Sequence, residues 1–186
     1  MTTEGREYPG EYGVLGDVPI TRLNHAVLFV GDLERSVAFY EQVLGFRNLG
    51  GPPGAAFLQA AGSSNDHDLG LFAVGSQAGP SGAGRSTVGL YHLAWEVDTL
   101  EELERISDLL TAENALVGAT DHGTTKALYG RDPSGIEFEV CWLVPADLID
   151  DETRDAKTEL RRLDIDKERA RYGGQTRGGV GVSIPT

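Results

Sequence analysis

A chain of 186 residues with 40% hydrophobic side chains can bury a proper core, so neither a metal nor a disulfide is needed for folding alone. Its 29 acidic and 16 basic residues leave a formal charge of −13. That charge repels phosphate backbones, and no Lys/Arg cluster set among aromatics offsets it, so nucleic acid is excluded as a partner. Cys141 is the single cysteine, which rules out an intrachain disulfide and points to a reducing compartment. The opening MTTEGREYPGEYG has no basic stretch followed by an apolar run. No apolar run approaches the ~20 residues of a membrane span. A cytoplasmic protein without membrane contact is expected.

Residues 1–20 read as an N-terminal extension. TRLNHAVLFV, rich in β-branched and aromatic residues, predicts a strand. In GDLERSVAFYEQVLGF, Leu33, Val37, Tyr40 and Leu44 fall on one helical face, with Asp32 as the start and Gly45 as the stop. AAFLQAA and HDLGLFAV predict further strands between GGPPG and GSSND turns. A Gly-rich connector follows, taken as residues 77–87. GLYHLAWEV then starts a strand again. DTLEELERISDLLTAENA predicts a helix, with Asp98 and Glu101 spaced as a capping box and Leu100, Leu103, Ile106 and Leu110 on one stripe. ALVGATDHG, TKALYGRD and GIEFEVCWLV supply the remaining strands.

The two starts align without a gap at an offset of 67: His25 on His92, Val30 on Val97, Leu33 on Leu100, Glu34 on Glu101. Such self-similarity predicts a repeat. The expected fold is α+β, with two βαβββ modules, about 21–76 and about 88–143, forming one cupped mixed sheet around a metal site. A histidine on the first strand of each module would face a shared centre. The tail, 144–186, predicts a charged helix in DDETRDAKTELRRLDIDKERA, with Ala156, Leu160 and Leu163 as a thin apolar stripe, packed on the domain or on a second subunit. GGQTRGGVGVSIPT then reads as flexible.

Taken singly, each of the four histidines has the ordinary reading of a core or rim residue. Their joint arrangement is more telling. Alternation puts His25, Val27 and Phe29 on one face of their strand, and His92, Ala94 and Glu96 on one face of theirs. It also sets Glu137, Glu139 and Cys141 opposite Ile136, Phe138 and Val140. A carboxylate on a covered strand needs a partner, because an unpaired buried charge is costly. Two imidazoles and one carboxylate with open positions suit a divalent metal, above all non-haem Fe(II). Cys141 reads as a small buried residue, Asp132-Pro-Ser-Gly as a turn, and Trp95, Trp142, Phe57 and Phe72 mostly as core.

The closing stretch carries a more specific pattern: His122, GTTKA, Leu128, Tyr129, Gly130, Arg131, Asp132, Pro133, Ser134, Gly135, IEF, Glu139. With the module repeat, it resembles the vicinal oxygen chelate superfamily, and within it the type I extradiol ring-cleavage (catechol 2,3-) dioxygenases, over roughly residues 20–143. The resemblance implies that His25, His92 and Glu139 hold Fe(II), with Mn(II) as the other candidate, and favours Glu139 over Glu137. It implies an acid–base role for His67. His122 and Tyr129 would hydrogen-bond the oxygens of the substrate and of the reacting dioxygen. The implied function is opening of a catechol-type diol with O2, by a homodimer or larger assembly.

Two other readings stay open on the same fold. An epimerase is not predicted by the His122/Tyr129 pattern. A glyoxalase-type isomerase uses a fourth protein ligand, a glutamate closing the first module. The equivalent of Glu139 there is Phe72, and no glutamate occurs between Glu41 and Glu96. A metal-free binding protein of the resistance type would have no need of two histidines and a glutamate in register.

Overall fold

The computed structural model describes residues 22–83, 86–156, 159–179 and 182–183; the expected extension 1–20 lies outside them. The first module runs β1 (Ala26–Val30), α1 (Leu33–Gln42), β2 (Arg47–Asn48), β3 (Ala55–Gln59) and β4 (Leu69–Ala73). The second runs β5 (Leu93–Glu96), α2 (Leu100–Ala112), β6 (Leu116–Asp121), β7 (Thr125–Arg131) and β8 (Glu137–Leu143). Their strand orders are β1-β4-β3-β2 and β5-β8-β7-β6, so the repeat is topological as well as sequential. In each module the first strand pairs parallel with the last, and the last pairs antiparallel with the strand before it.

The helix starts hold with one change, but α1 ends at Gln42 and buries Ser36, Phe39 and Tyr40. Of the expected face only Tyr40 is fully buried, and Leu33, Val37 and Leu44 are partly so. Asp32 caps α1, its side chain accepting from Arg35 N at 3.0 Å. On α2 the cap is Thr99, accepting from Glu102 N, and not the expected Asp98. Asp98 is engaged by the tail instead: its carbonyl accepts from Gly178 N at 2.9 Å, and its carboxylate lies 3.8 Å from Arg177. Leu100, Leu103, Ile106 and Leu110 are buried as the stripe predicts.

The class is α+β with two modules, but the sheets are two mixed sheets and not one cupped sheet. The modules meet through their helix-bearing sides. Phe39 of α1 packs edge-on against Phe138 of β8, with centroids 5.9 Å apart, and Phe46 packs against Trp95 at 5.1 Å. Tyr40 Oη donates to Asp132 Oδ2 at 3.3 Å, and Gly31 N donates to Ser134 Oγ at 3.2 Å. These rings join one shared core, and the apolar area they remove from water holds the two modules together. Strand alternation then turns the opposite faces outward: Leu28 and Val30 are buried, whereas Val27 is 52% and Phe29 71% exposed.

The tail departs from the single expected helix. It forms α3 (Asp151–Asp155), β9 (Arg161–Arg162) and α4 (Ile165–Tyr172), with Asp150 and Asp164 as two separate N-caps. The break occurs where β9 adds to the free edge of β6, pairing Thr120 with Arg162 and Asp121 with Arg161. Ala156 and Leu163 are buried, but Leu160 is 83% exposed, so the expected stripe is interrupted. The stretch expected to be flexible is partly docked, since Trp142 Nε1 donates to Thr176 O at 3.1 Å and Glu101 N to Gly174 O at 3.0 Å. Among the described residues no helix is long and apolar enough to cross a membrane.

Candidate metal and substrate site

His92 immediately precedes β5, and Glu139 lies on the neighbouring β8 opposite Ala94. This brings His92 Nε2 to 3.1 Å from Glu139 Oε2. Tyr129 is the direct partner of Glu139 across the antiparallel β7–β8 pair, and its ring lies 5.7 Å from that of His92. His122, at the β6–β7 turn, places Nε2 3.0 Å from Tyr129 Oη. Imidazole, carboxylate, phenol and a second imidazole thus share one face of the second sheet. Burial first, then the charge of Glu139, pushes the Tyr129 phenol up to about 12. Cys141, buried beside this group, is likewise pushed up to about 12, by burial and then by Glu139 and Glu96, which makes it inert at neutral pH.

The first module carries the other two histidines. His25 and His67 pack at 4.5 Å between ring centroids, and Phe57 lies 4.9 Å from His67. His25 Nδ1 donates to Asn24 Oδ1 at 2.7 Å, which leaves Nε2 as the bare nitrogen. His67 Nδ1 lies 3.1 Å from Asp66 Oδ2, again leaving Nε2 to accept a proton. A cavity of about 350 Å³ opens here, lined by Leu49, Gly50, Gly51, Phe57, Asp66 and His67.

The six expected site residues therefore fall into two groups, His25 with His67 and His92 with Glu139, His122 and Tyr129. Among the described residues no three His, Cys, Asp or Glu side chains gather as a metal cluster. The expected shared centre is not formed within one chain, because the modules are joined through their helix sides and both histidine-bearing faces point away from that joint.

The second-module group nonetheless fits a metal. His92 Nδ1 is buried without a hydrogen-bond partner, so it is Nε2, facing Glu139, that is placed to take an ion. The 3.1 Å between His92 Nε2 and Glu139 Oε2 is about the spacing of two adjacent ligands on an octahedral ion with bonds of ~2.1 Å. Sequence reasoning missed Tyr91, whose ring lies 4.7 Å from that of His92, and Asn24, which orients His25. Each adjoins a histidine in the chain, and that adjacency was the available signal.

A doubled βαβββ unit presenting imidazole, carboxylate and phenol on a sheet face defines a protein of the vicinal oxygen chelate fold. The sequence model of the glyoxalase/bleomycin resistance protein/dioxygenase superfamily matches residues 22–140, and the chain belongs to that superfamily. It is 32% identical over 123 residues to the catechol-2,3-dioxygenase of Bacillus subtilis strain 168, covering 64% of this chain and 41% of that protein. It is 27% identical over 125 residues to the manganese-dependent 2,3-dihydroxybiphenyl 1,2-dioxygenase of Geobacillus genomosp. 3, covering 65% and 36%. The chain thus spans about two-fifths of the length of these curated relatives. Among solved structures, a glyoxylase/bleomycin resistance protein/dioxygenase domain from Frankia sp. EAN1pec has a TM-score of 0.54 at 21% identity, covering 66% of this chain and 92% of that one. A fosfomycin resistance protein from Listeria monocytogenes, complexed with Mn(II) and 1S,2S-dihydroxypropylphosphonic acid, has a TM-score of 0.51 at 20% identity, covering 66% and 90%. These structural likenesses show the fold.

Proposed function

We propose that this protein is an extradiol-type dioxygenase that opens a catechol-type ring with O2 at a divalent centre, Fe(II) with Mn(II) as the other candidate. The observation that carries the reading is the His122–Tyr129 pair at 3.0 Å, standing in register with Glu139 beside His92. A closed four-ligand isomerase site lacks support. Ala94 pairs with Glu139 and its counterpart Val27 pairs with Gly70, so the place of the fourth ligand on β4 is a glycine and not the Phe72 that the offset of 67 gives. The connector at 77–87 and the core–tail boundary at 144 belong to the same reading.

His92 and Glu139 would hold the metal from one chain, and His25 of a second copy of the chain would complete the set. The outward-facing Val27 and Phe29, next to His25, supply an apolar surface that a second copy covers. Bound Fe(II) supplies Lewis acidity toward the hydroxyls of the diol and open positions for diol and dioxygen. His67 Nε2 takes the proton of a diol hydroxyl and later returns it. Tyr129 keeps its own proton, because its phenol is held at about 12, and donates to a substrate oxygen. His122 orients that phenol. Phe29, Phe57 and Phe72 wall the ring and exclude water.

The test is oxygen uptake by protein reconstituted anaerobically with ferrous iron, then given catechol and 3-substituted catechols in air. One dioxygen consumed per diol, with a yellow ring-opened product, is the expected result. Bound iron without uptake would sink the ring-cleavage reading and leave an isomerase or a binding protein on this fold.

A further inference from the structure

Lys126 is 1% exposed, yet it lies on β7 three residues before Tyr129. Its Nζ donates to Asp121 Oδ1 at 2.6 Å and is ion-paired with Glu168 Oε2 at 2.9 Å. Glu168, 2% exposed, comes from α4 of the tail, and the Tyr172 ring of the same helix lies 5.7 Å from the ammonium. A charge buried this deeply persists only when its partners are held in place.

The same Asp121 oxygen has a second duty. Oδ1 accepts from Gly123 N at 2.8 Å, and His122 N donates to Thr125 O at 2.9 Å. Together these bonds shape the turn on which His122 stands, with Gly123 at φ +76. The tail also grips this residue through its backbone, since β9 pairs Arg161 with Asp121. A chain of contacts therefore runs from α4 through Lys126 and Asp121 to Gly123, which with Asp121 flanks His122 in the turn, and from the His122 ring to Tyr129.

We propose that the C-terminal tail is a positioning element for the substrate-facing pair: Glu168, acting through Lys126, fixes the Asp121 carboxylate and thereby sets the His122 imidazole against the Tyr129 hydroxyl. This rests on the reading of His122 and Tyr129 as groups that face substrate. The brace lies partly outside the residues that match the superfamily, which end at 140, so it is a feature of this chain beyond the shared fold. Glu168, Lys126 and Asp121 touch no reacting atom. Their effect is on orientation, where small misplacements are amplified in rate.

The test uses the full chain labelled with 15N-histidine, whose four imidazoles are resolved by long-range 1H–15N spectra. Two variants are compared with wild type: Glu168→Gln, which keeps size and removes the charge, and Asp121→Ala, which frees the turn while leaving the Lys126–Glu168 pair. Both are expected to move the His122 ring signals toward those of a free imidazole, with His25 and His67 unmoved. With a cleavable catechol, kcat should fall by about 10- to 100-fold at nearly constant KM. If Glu168→Gln lowers the melting temperature but leaves the His122 signals and kcat unchanged, the tail is only a stabilising element and the inference is overturned. If the His122 signals move while wild type cleaves no diol, the positioning stands and the dioxygenase reading falls.

Discussion

Tyr129 and Glu139 face one another across the β7–β8 ladder, on the sheet face that also carries His92. Burial and the carboxylate's charge hold the phenol's proton up to about 12, whereas an unfolded tyrosine ionises near ~10. Between those values the folded state binds more protons than the unfolded state, so stability falls as pH rises through that window. Titrating the metal-free protein at the phenolate absorbance band should therefore show Tyr129→Phe removing a step near pH 12. Removal of a step near ~10 would mean that the phenol is not enclosed as described.

On the proposed function, metal binding should separate the histidines by role. His92→Ala and Glu139→Ala should each abolish stoichiometric iron, measured by metal analysis after reconstitution and desalting. His67→Gln should keep the iron and lose most turnover. Full ring-cleavage rates for His67→Gln across pH would remove its acid–base role.

The proposed division of the site between two copies makes a prediction about mixtures. His25→Ala and Glu139→Ala, each inactive alone, should regain about a quarter of wild-type metal sites after mixed refolding, because half the dimers are mixed and each has one intact site. A site built within one chain gives no recovery. Sedimentation at micromolar concentration should show a dimer or larger species, and a sharp monomer would defeat the shared-site arrangement.

The buried ammonium should be costly to delete. Lys126→Ala leaves Asp121 and Glu168 as uncompensated carboxylates beneath α4 and should destabilise the fold by about 3–5 kcal/mol in urea denaturation. A loss under ~1 kcal/mol, typical of exposed pairs, would show that water reaches the cluster.

The end of the tail is held by a close approach. A Cβ on Gly178 would meet Leu143 O at 1.9 Å and Trp142 Nε1 at 2.8 Å, and a backbone oxygen cannot rotate away. Gly178→Ala should lift the strap, break the Trp142–Thr176 hydrogen bond, and raise protease sensitivity after residue 172. Unchanged Trp fluorescence and unchanged cleavage would refute that docking.

Much of this was legible because the signals are local. The Asp132–Gly135 turn, with Gly135 at φ +80, fixes the hairpin register that puts Tyr129 opposite Glu139. Helical periodicity picked out Leu100, Leu103, Ile106 and Leu110, all buried. The offset of 67 predicted two modules of equal topology. Periodicity also told which strand faces carry His25 and His92, but it is silent about what covers those faces.

That silence is where tertiary structure decided. Phe39 against Phe138 and Phe46 against Trp95 join the modules through their helix sides, and this turns His25 and His67 away from His92 and Glu139. The tail was likewise unreadable as a brace. Its thin apolar stripe predicted one charged helix packed on the domain or on a second subunit, and only the free edge of β6 and the buried Lys126 between Asp121 and Glu168 divide it into β9 and α4. Spacing along the chain determines faces and turns, because those depend on neighbours a few residues away. Which face meets which depends on the packing of side chains distant in sequence, and that is settled only when the whole core closes.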